Sequence, residues 1–295
     1  MDWYIHHVNV PSHDVEASRR FYADVIGLPE GRWRYPPAAE LERLQHRQDT
    51  LAFFGSDNRG IHVVKPNVSY ARDIGILHNP TVGGNFAITV SDLTPVTRRL
   101  EASGIPYSDA ATHAMAGVHQ IYVYEPGMRV LEINQCVGPD AAPPGPGDEH
   151  PIRVEPGGWY IHHVNMQAFD VRRSVAFLRD IVGLTERDWV YPGDEQAGNF
   201  NRATDFLAVF GRQNRGIHVV KPVASFAAAN GLTHNPTIGG HFAITVEDVS
   251  PIVSRLHRAG IAFDDAGTYA MAGMRQVYTY DPSMNFVEIN QVVGD

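Results

Sequence analysis

The chain has 295 residues, enough for one large domain or two of ordinary size. Its hydrophobic share of 43% supports a packed core, while the formal net charge of −9 argues against nucleic acid as a partner, because phosphate binding asks for a basic face. No run of about 18 apolar residues predicts a membrane span, the N-terminus lacks a secretory pattern, and the single cysteine, Cys136, excludes an intrachain disulfide, so a cytoplasmic setting without membrane contact is expected.

Residues 3–10, Trp-Tyr-Ile-His-His-Val-Asn-Val, are short, aromatic and β-branched, and predict a strand. Asp14 caps a predicted helix over 15–25, where Val15, Phe21, Tyr22 and Val25 give only part of a helical stripe; Gly27 ends it. Strands are predicted over 51–54 and 61–64, around the polar turn Ser56-Asp57-Asn58-Arg59-Gly60. After His78-Asn79-Pro80 the pattern restarts with a strand over 86–90 and a helix over 93–103 that Gly104 ends. Strands over 120–124 and 130–135 follow, around a turn at Pro126-Gly127.

The series is then written a second time. Trp3-Tyr4-Ile5-His6-His7-Val8-Asn9 recurs as Trp159-Tyr160-Ile161-His162-His163-Val164-Asn165, and Ala114-Met115-Ala116-Gly117 as Ala270-Met271-Ala272-Gly273, with one constant offset of 156 positions. An unchanged offset means that loop lengths were kept along with core residues. Two domains of one fold follow, over 1–138 and 158–295. The stretch 139–157, with Pro139, Pro143, Pro144 and Pro146 among glycines and alanines, reads as a semi-rigid linker.

Fifteen histidines point towards metal or proton chemistry. In the second copy His163, His218, His241 and Glu288 stand on different predicted strands, separated by 55, 23 and 47 residues. Such gaps suit a sheet-borne metal site, in which each ligand comes from its own strand. Strand side chains alternate, so only one of His162 and His163 is expected on a given face. Two imidazoles and one carboxylate leave coordination positions open for a substrate, an arrangement that suits non-haem Fe(II). A single strand histidine is more often a hydrogen-bonded core residue than a ligand, so spacing alone does not make these four a metal site.

The motifs resemble the vicinal oxygen chelate superfamily of glyoxalases, bleomycin-resistance proteins, epimerases and extradiol dioxygenases. Its opening pattern is matched by His7-Val8-Asn9-Val10 with Phe21-Tyr22 and Ile26-Gly27-Leu28, and by His163-Val164-Asn165 with Phe177-Leu178 and Val182-Gly183-Leu184. Its midpoint strand is matched from His241 to Asp248, and its closing turn and carboxylate by Tyr280-Asp281-Pro282 and Glu288. The resemblance implies an α+β fold of two tandem homologous domains. Each would be built of paired βαβββ modules, forming a curled mixed sheet around a cleft.

The family's ligands fall on His163, His241 and Glu288. In the first copy they fall on His7, Asn85 and Glu132, where the neutral Asn85 amide is a poor ligand and implies a degenerate site. The implied activity is a divalent-metal, most simply Fe(II)-dependent, extradiol-type dioxygenase acting with O₂ on a catechol-like small molecule. Tyr278 would hold a substrate oxygen; its alternative role is that of an ordinary strand aromatic. Tyr269 stands where that subfamily carries a histidine, and is a pocket donor or a rim residue. His218 is displaced from the family's acid–base histidine. In glyoxalase- or epimerase-like lyases and isomerases it would instead be a fourth ligand to Zn, Ni or Mn. A sequestering protein without chemistry is the third alternative. Paired sheet edges, and so a homo-oligomer, are expected by the same resemblance.

Overall fold

A computed structural model of the protein describes residues 3–34, 50–112, 115, 117–137, 158–190, 206–268 and 271–293. The expected linker over 139–157 and Tyr269 lie outside the described residues. Two compact units correspond in the main to the two copies.

The first unit opens with β1 (Trp3–Pro11) and α1 (Val15–Arg20). Asp14 caps that helix by accepting from the Ala17 amide at 2.9 Å. The helix then widens into a π turn over Phe21–Ile26. This accounts for the incomplete helical stripe in the sequence, because a wider coil throws Phe21, Tyr22 and Ile26 out of step with a 3.6-residue period. Tyr22 packs against Phe54, ring centroids 5.6 Å apart, and so seats the helix on the sheet. The hairpin of β2 (Leu51–Ser56) and β3 (Arg59–Val64) turns on Asp57 and Asn58, at φ 50° and 59°. Two consecutive left-handed residues make the turn that matches strand twist. A short helix α2 (Tyr70–Ile74) leads to β4 (Asn85–Val90), α3 (Thr94–Ala102), β5 (Tyr107–Ala111), β6 (Val118–Tyr124) and β7 (Val130–Cys136).

The second unit repeats the series as β8 (Trp159–Gln167), α4 (Val171–Ala176) with its π turn, β9 (Glu186–Arg187), β10 (Leu207–Phe210), β11 (Gly216–Val220), α5 (Phe226–Ala229), β12 (His241–Val246), α6 (Ser250–Ala259), β13 (Phe263–Gly267), β14 (Met274–Tyr280) and β15 (Phe286–Val292). Strand order is β2-β3-β1-β4-β7-β6-β5 in the first sheet and β13-β14-β15-β12-β8-β11-β10-β9 in the second. Each unit is therefore an open, mixed sheet built of two modules that each run strand, helix and then further strands, as expected. In the second unit both modules are complete. In the first, the leading module shows three strands among the described residues, and Glu30 makes a lone bridge to Phe54.

Within each module the first strand lies parallel to the last, as β8 does to β11 and β12 to β15. The two modules meet antiparallel along β8 and β12. Every residue of β10, β11 and β12 is buried. Among the described residues no helix is long and apolar enough to cross a membrane.

Candidate metal centre

Strand register decides which side chains meet. His163 is opposite Ala243, Ala243 is opposite Glu288, and Glu288 is opposite Tyr278, so one row runs across four strands on one face. A second row on that face joins His218, Asn165 and His241. The methyl of Ala243 leaves room between the larger residues of the first row. Gly216, opposite His163 on its other side, adds no side chain at all.

His163, His241 and Glu288 consequently converge. The His163 and His241 Nε2 atoms are 3.2 Å apart, and they lie 3.5 and 3.0 Å from Glu288 Oε2. All three residues are buried, and they form the one set of candidate metal ligands found among the described residues. Ligands about 2.1 Å from a shared cation stand roughly 3.0 to 3.4 Å apart for right-angled to tetrahedral geometry. Two of the observed spacings, 3.0 and 3.2 Å, fall in that range, and the third, 3.5 Å, is just beyond it. The donor chemistry fits as well, since two imidazole nitrogens and a carboxylate oxygen facing one point have more lone pairs than protons to share.

The electrostatics agree with a cation-seeking site. Burial alone would raise the Glu288 carboxyl, but His163 and His241 outweigh it and hold the group well below the ordinary carboxylate range. Burial lowers the basicity of His241, against the pull of Glu288, and favours the neutral, ligating imidazole. Gln276, a residue with no role in the sequence reading, holds the other carboxylate oxygen: its Nε2 donates to Glu288 Oε1 at 2.9 Å and lies 2.9 Å from the Tyr278 hydroxyl. The signal that could have found it is the recurrence of Gln two positions before the site tyrosine, as Gln120-Ile121-Tyr122 and Gln276-Val277-Tyr278.

His218 is brought to the site but not into the ligand set. Its ring stacks on His163 with centroids 3.9 Å apart, and its Nε2 donates to the Asn214 carbonyl at 2.6 Å. Burial pushes it well below the ordinary histidine range, so it is neutral. Asn214 has a role beyond the turn suggested by Asn-Arg-Gly. At φ 58° it directs its amide to Val190, exchanging two hydrogen bonds of 2.7 Å with that residue's backbone. The clamp holds Trp189 edge-on to His218, 4.7 Å away. His234 is on a loop but buried, with Nδ1 2.6 Å from Asp264 Oδ2.

A pocket partly open to solvent lies over the triad. Trp189, Phe206, Leu207, Val220, Phe226 and Met271 give it apolar walls; Asn165, Thr237, His218, Gln276 and Tyr278 supply the polar points.

The first unit keeps this framework with one change. His7 is opposite Ala87, Ala87 opposite Glu132, and Glu132 opposite Tyr122. His62 stacks on His7 at 3.9 Å. Where the second unit has His241, Asn85 donates to Glu132 Oε2 at 3.1 Å and accepts from Asn9 Nδ2 at 2.6 Å. The amide thus closes a hydrogen-bond network where the other unit places the imidazole Nε2 of His241.

A sequence profile of the Glyoxalase/Bleomycin resistance protein/Dioxygenase superfamily matches residues 4–133 and again 160–289. No curated protein matches the chain. Among solved structures, the 2,3-dioxygenase LapB from Pseudomonas sp. KL28 is similar at 15% identity, with a TM-score of 0.62 over 98% of this chain and 91% of the other. A Mn(II)-bound glyoxalase from Novosphingobium aromaticivorans shares 14% identity, with a TM-score of 0.59 over 99% and 82%. Homoprotocatechuate 2,3-dioxygenase from Arthrobacter globiformis shares 13% identity, with a TM-score of 0.59 over 99% and 79%. At these identities the likeness is one of fold.

Proposed function

From the premise that this chain belongs to the Glyoxalase/Bleomycin resistance protein/Dioxygenase superfamily, we propose that its second unit is a divalent-metal enzyme of the extradiol type, opening the ring of a catechol-like small molecule with O₂. The observation that carries this reading is the convergence of His163, His241 and Glu288 beneath an apolar pocket, with no fourth protein ligand among the described residues. Three ligands leave room for both oxygens of a diol and for O₂. A bound Fe(II) would supply Lewis acidity towards the diol and electronic coupling to O₂.

The chain's own residues supply the rest. His163, His241 and Glu288 Oε2 hold the cation, and Gln276 fixes the carboxylate that offers Oε2. Tyr278, which lines the pocket, would hold a substrate oxygen through its hydroxyl. With Nε2 donating to Asn214, neutral His218 has its lone pair on Nδ1, the atom that would take a hydroxyl proton from the substrate. Trp189, Phe206 and Phe226 clasp an aromatic ring and exclude water.

A glyoxalase- or epimerase-like lyase would need His218 as a fourth ligand, and its bond to the Asn214 carbonyl weighs against that. The deciding experiment is metal analysis of protein purified without oxygen, followed by O₂ uptake on adding simple catechols. Iron with catechol-dependent uptake supports the proposal. Zinc, nickel or manganese without uptake supports the lyase or isomerase. A pocket that binds its ligand with no metal at all would make the protein a sequestering one.

A further inference from the structure

We propose that His162 is a positioning residue for the ligand His163, acting as the acceptor of its Nδ1 proton. The inference rests on the metal reading above and deepens it. Its first observation is a break in register. Along β8 and β12 the pairing passes from Ala243 opposite His163 to Ile244 opposite Ile161, so His162 is an extra residue in a β-bulge. An unbroken strand would send consecutive side chains to opposite faces. The bulge instead turns the two rings towards each other, at 80° and with centroids 5.3 Å apart. Their Nδ1 atoms are 3.0 Å apart in a buried setting.

Two nitrogens at that distance share one proton, and its location decides whether His163 can ligate. If the proton sits on His162, neutral His163 carries its own on Nε2, the atom that faces His241 and Glu288, and that lone pair is lost. If it sits on His163 Nδ1, the Nε2 lone pair is free. Metal-bound histidines characteristically donate their second N–H to an outer partner that fixes tautomer and ring plane. Here that partner is the neighbouring residue along the chain, and only the bulge makes the bond reachable. The first unit carries the same device, with His6 and His7 Nδ1 atoms 2.9 Å apart and a register break between Ile5 and His7. There the second imidazole is missing, so the pair has no ligand set to serve, and it provides an internal control.

The test compares two substitutions. Asn places Oδ1 where His has Nδ1, so His162→Asn keeps the acceptor, whereas His162→Leu removes it. Zn²⁺ affinity by chelator competition is expected to fall about 10- to 100-fold in His162→Leu. It should stay near the parent value in His162→Asn and in His6→Leu. Unchanged affinity in His162→Leu, or equal losses in the Leu and Asn variants, overturns the proposal. Independently of any variant, ¹⁵N NMR of the unsubstituted protein should show His163 protonated at Nδ1, with or without Zn²⁺. A proton on Nε2 in the metal-free protein overturns the inference even if the cation binds. Failure of Zn²⁺ and Fe(II) to bind while Nδ1 is protonated would instead sink the metal reading and leave the tautomer assignment standing.

Discussion

Gln276 Nε2 lies 2.9 Å from Glu288 Oε1, and this one bond determines which carboxylate oxygen is left to face the imidazoles. Without it, the carboxylate can rotate and Oε2 loses its fixed position 3.0 Å from His241. Gln276→Leu should weaken metal binding about 10- to 100-fold, as loss of an outer partner does elsewhere. Gln120→Leu, the matching change in the first unit, should leave metal affinity alone. Chelator competition on both variants checks the pair.

The two units differ at the midpoint position, Asn85 against His241, on otherwise matching rows. One metal per chain is expected, held by the second unit. His241→Asn should reduce this to none. Asn85→His, by replacing a closed amide network with a third ligand, should raise it to two. Metal content per chain by elemental analysis after dialysis reads all three, and an Asn85→His protein that still holds one ion contradicts the account of the first unit.

His218 is tied to a carbonyl, not to the ligand set. His218→Ala should therefore spare metal loading while reducing turnover. It should also cost about 1 to 3 kcal/mol of stability, because the Asn214 carbonyl loses its buried donor. Loading by elemental analysis and the urea midpoint, measured on the same preparation, separate the two effects. Loss of metal would make His218 a fourth ligand and revive the lyase reading.

Asp264 pins the loop that leads into His241. It accepts from the His234 amide at 2.7 Å, from His234 Nδ1 at 2.6 Å and from the Thr233 amide at 3.0 Å. Burial pushes its carboxyl up, but the bonds from His234 and Thr233 outweigh this and hold it below the ordinary value. A depressed folded value gives stabilisation that is complete above the unfolded value, about 4, and is lost as pH falls through the folded one. Asp264→Ala should thus cost about 2 kcal/mol near neutral pH. The difference from the parent should shrink below about pH 4. Urea midpoints across that range test the sign.

Much of this was legible in the sequence because duplication wrote it twice. The constant offset from His7 to His163 marked the copies, and the motif around His241 and Glu288 named residues that the register then brought to one face. What stayed hidden has physical reasons. β5 and β13, Tyr-Ser-Asp-Ala-Ala and Phe-Asp-Asp-Ala-Gly, are polar edge strands without the alternation that a half-buried strand shows. α2 is too short to show a period. The bulge at His162 breaks the very alternation by which strand faces are read, so the two adjacent histidines were expected to part rather than to meet. Asn214 looked like a turn residue because its backbone is one; its side-chain clamp on Val190 depends on a segment 24 positions away.

The seam between β8 and β12 has a thermodynamic consequence. His163 belongs to one βαβββ module, and His241 and Glu288 to the other, so a bound ion ties together two halves that otherwise share only a strand pairing and its packing. Ligand that binds the folded form alone raises its stability by about 2.7 kcal/mol at a hundredfold excess over Kd. Stripping the ion with a chelator should accordingly lower the melting temperature of the C-terminal unit while sparing its N-terminal twin, as a calorimetric scan would read.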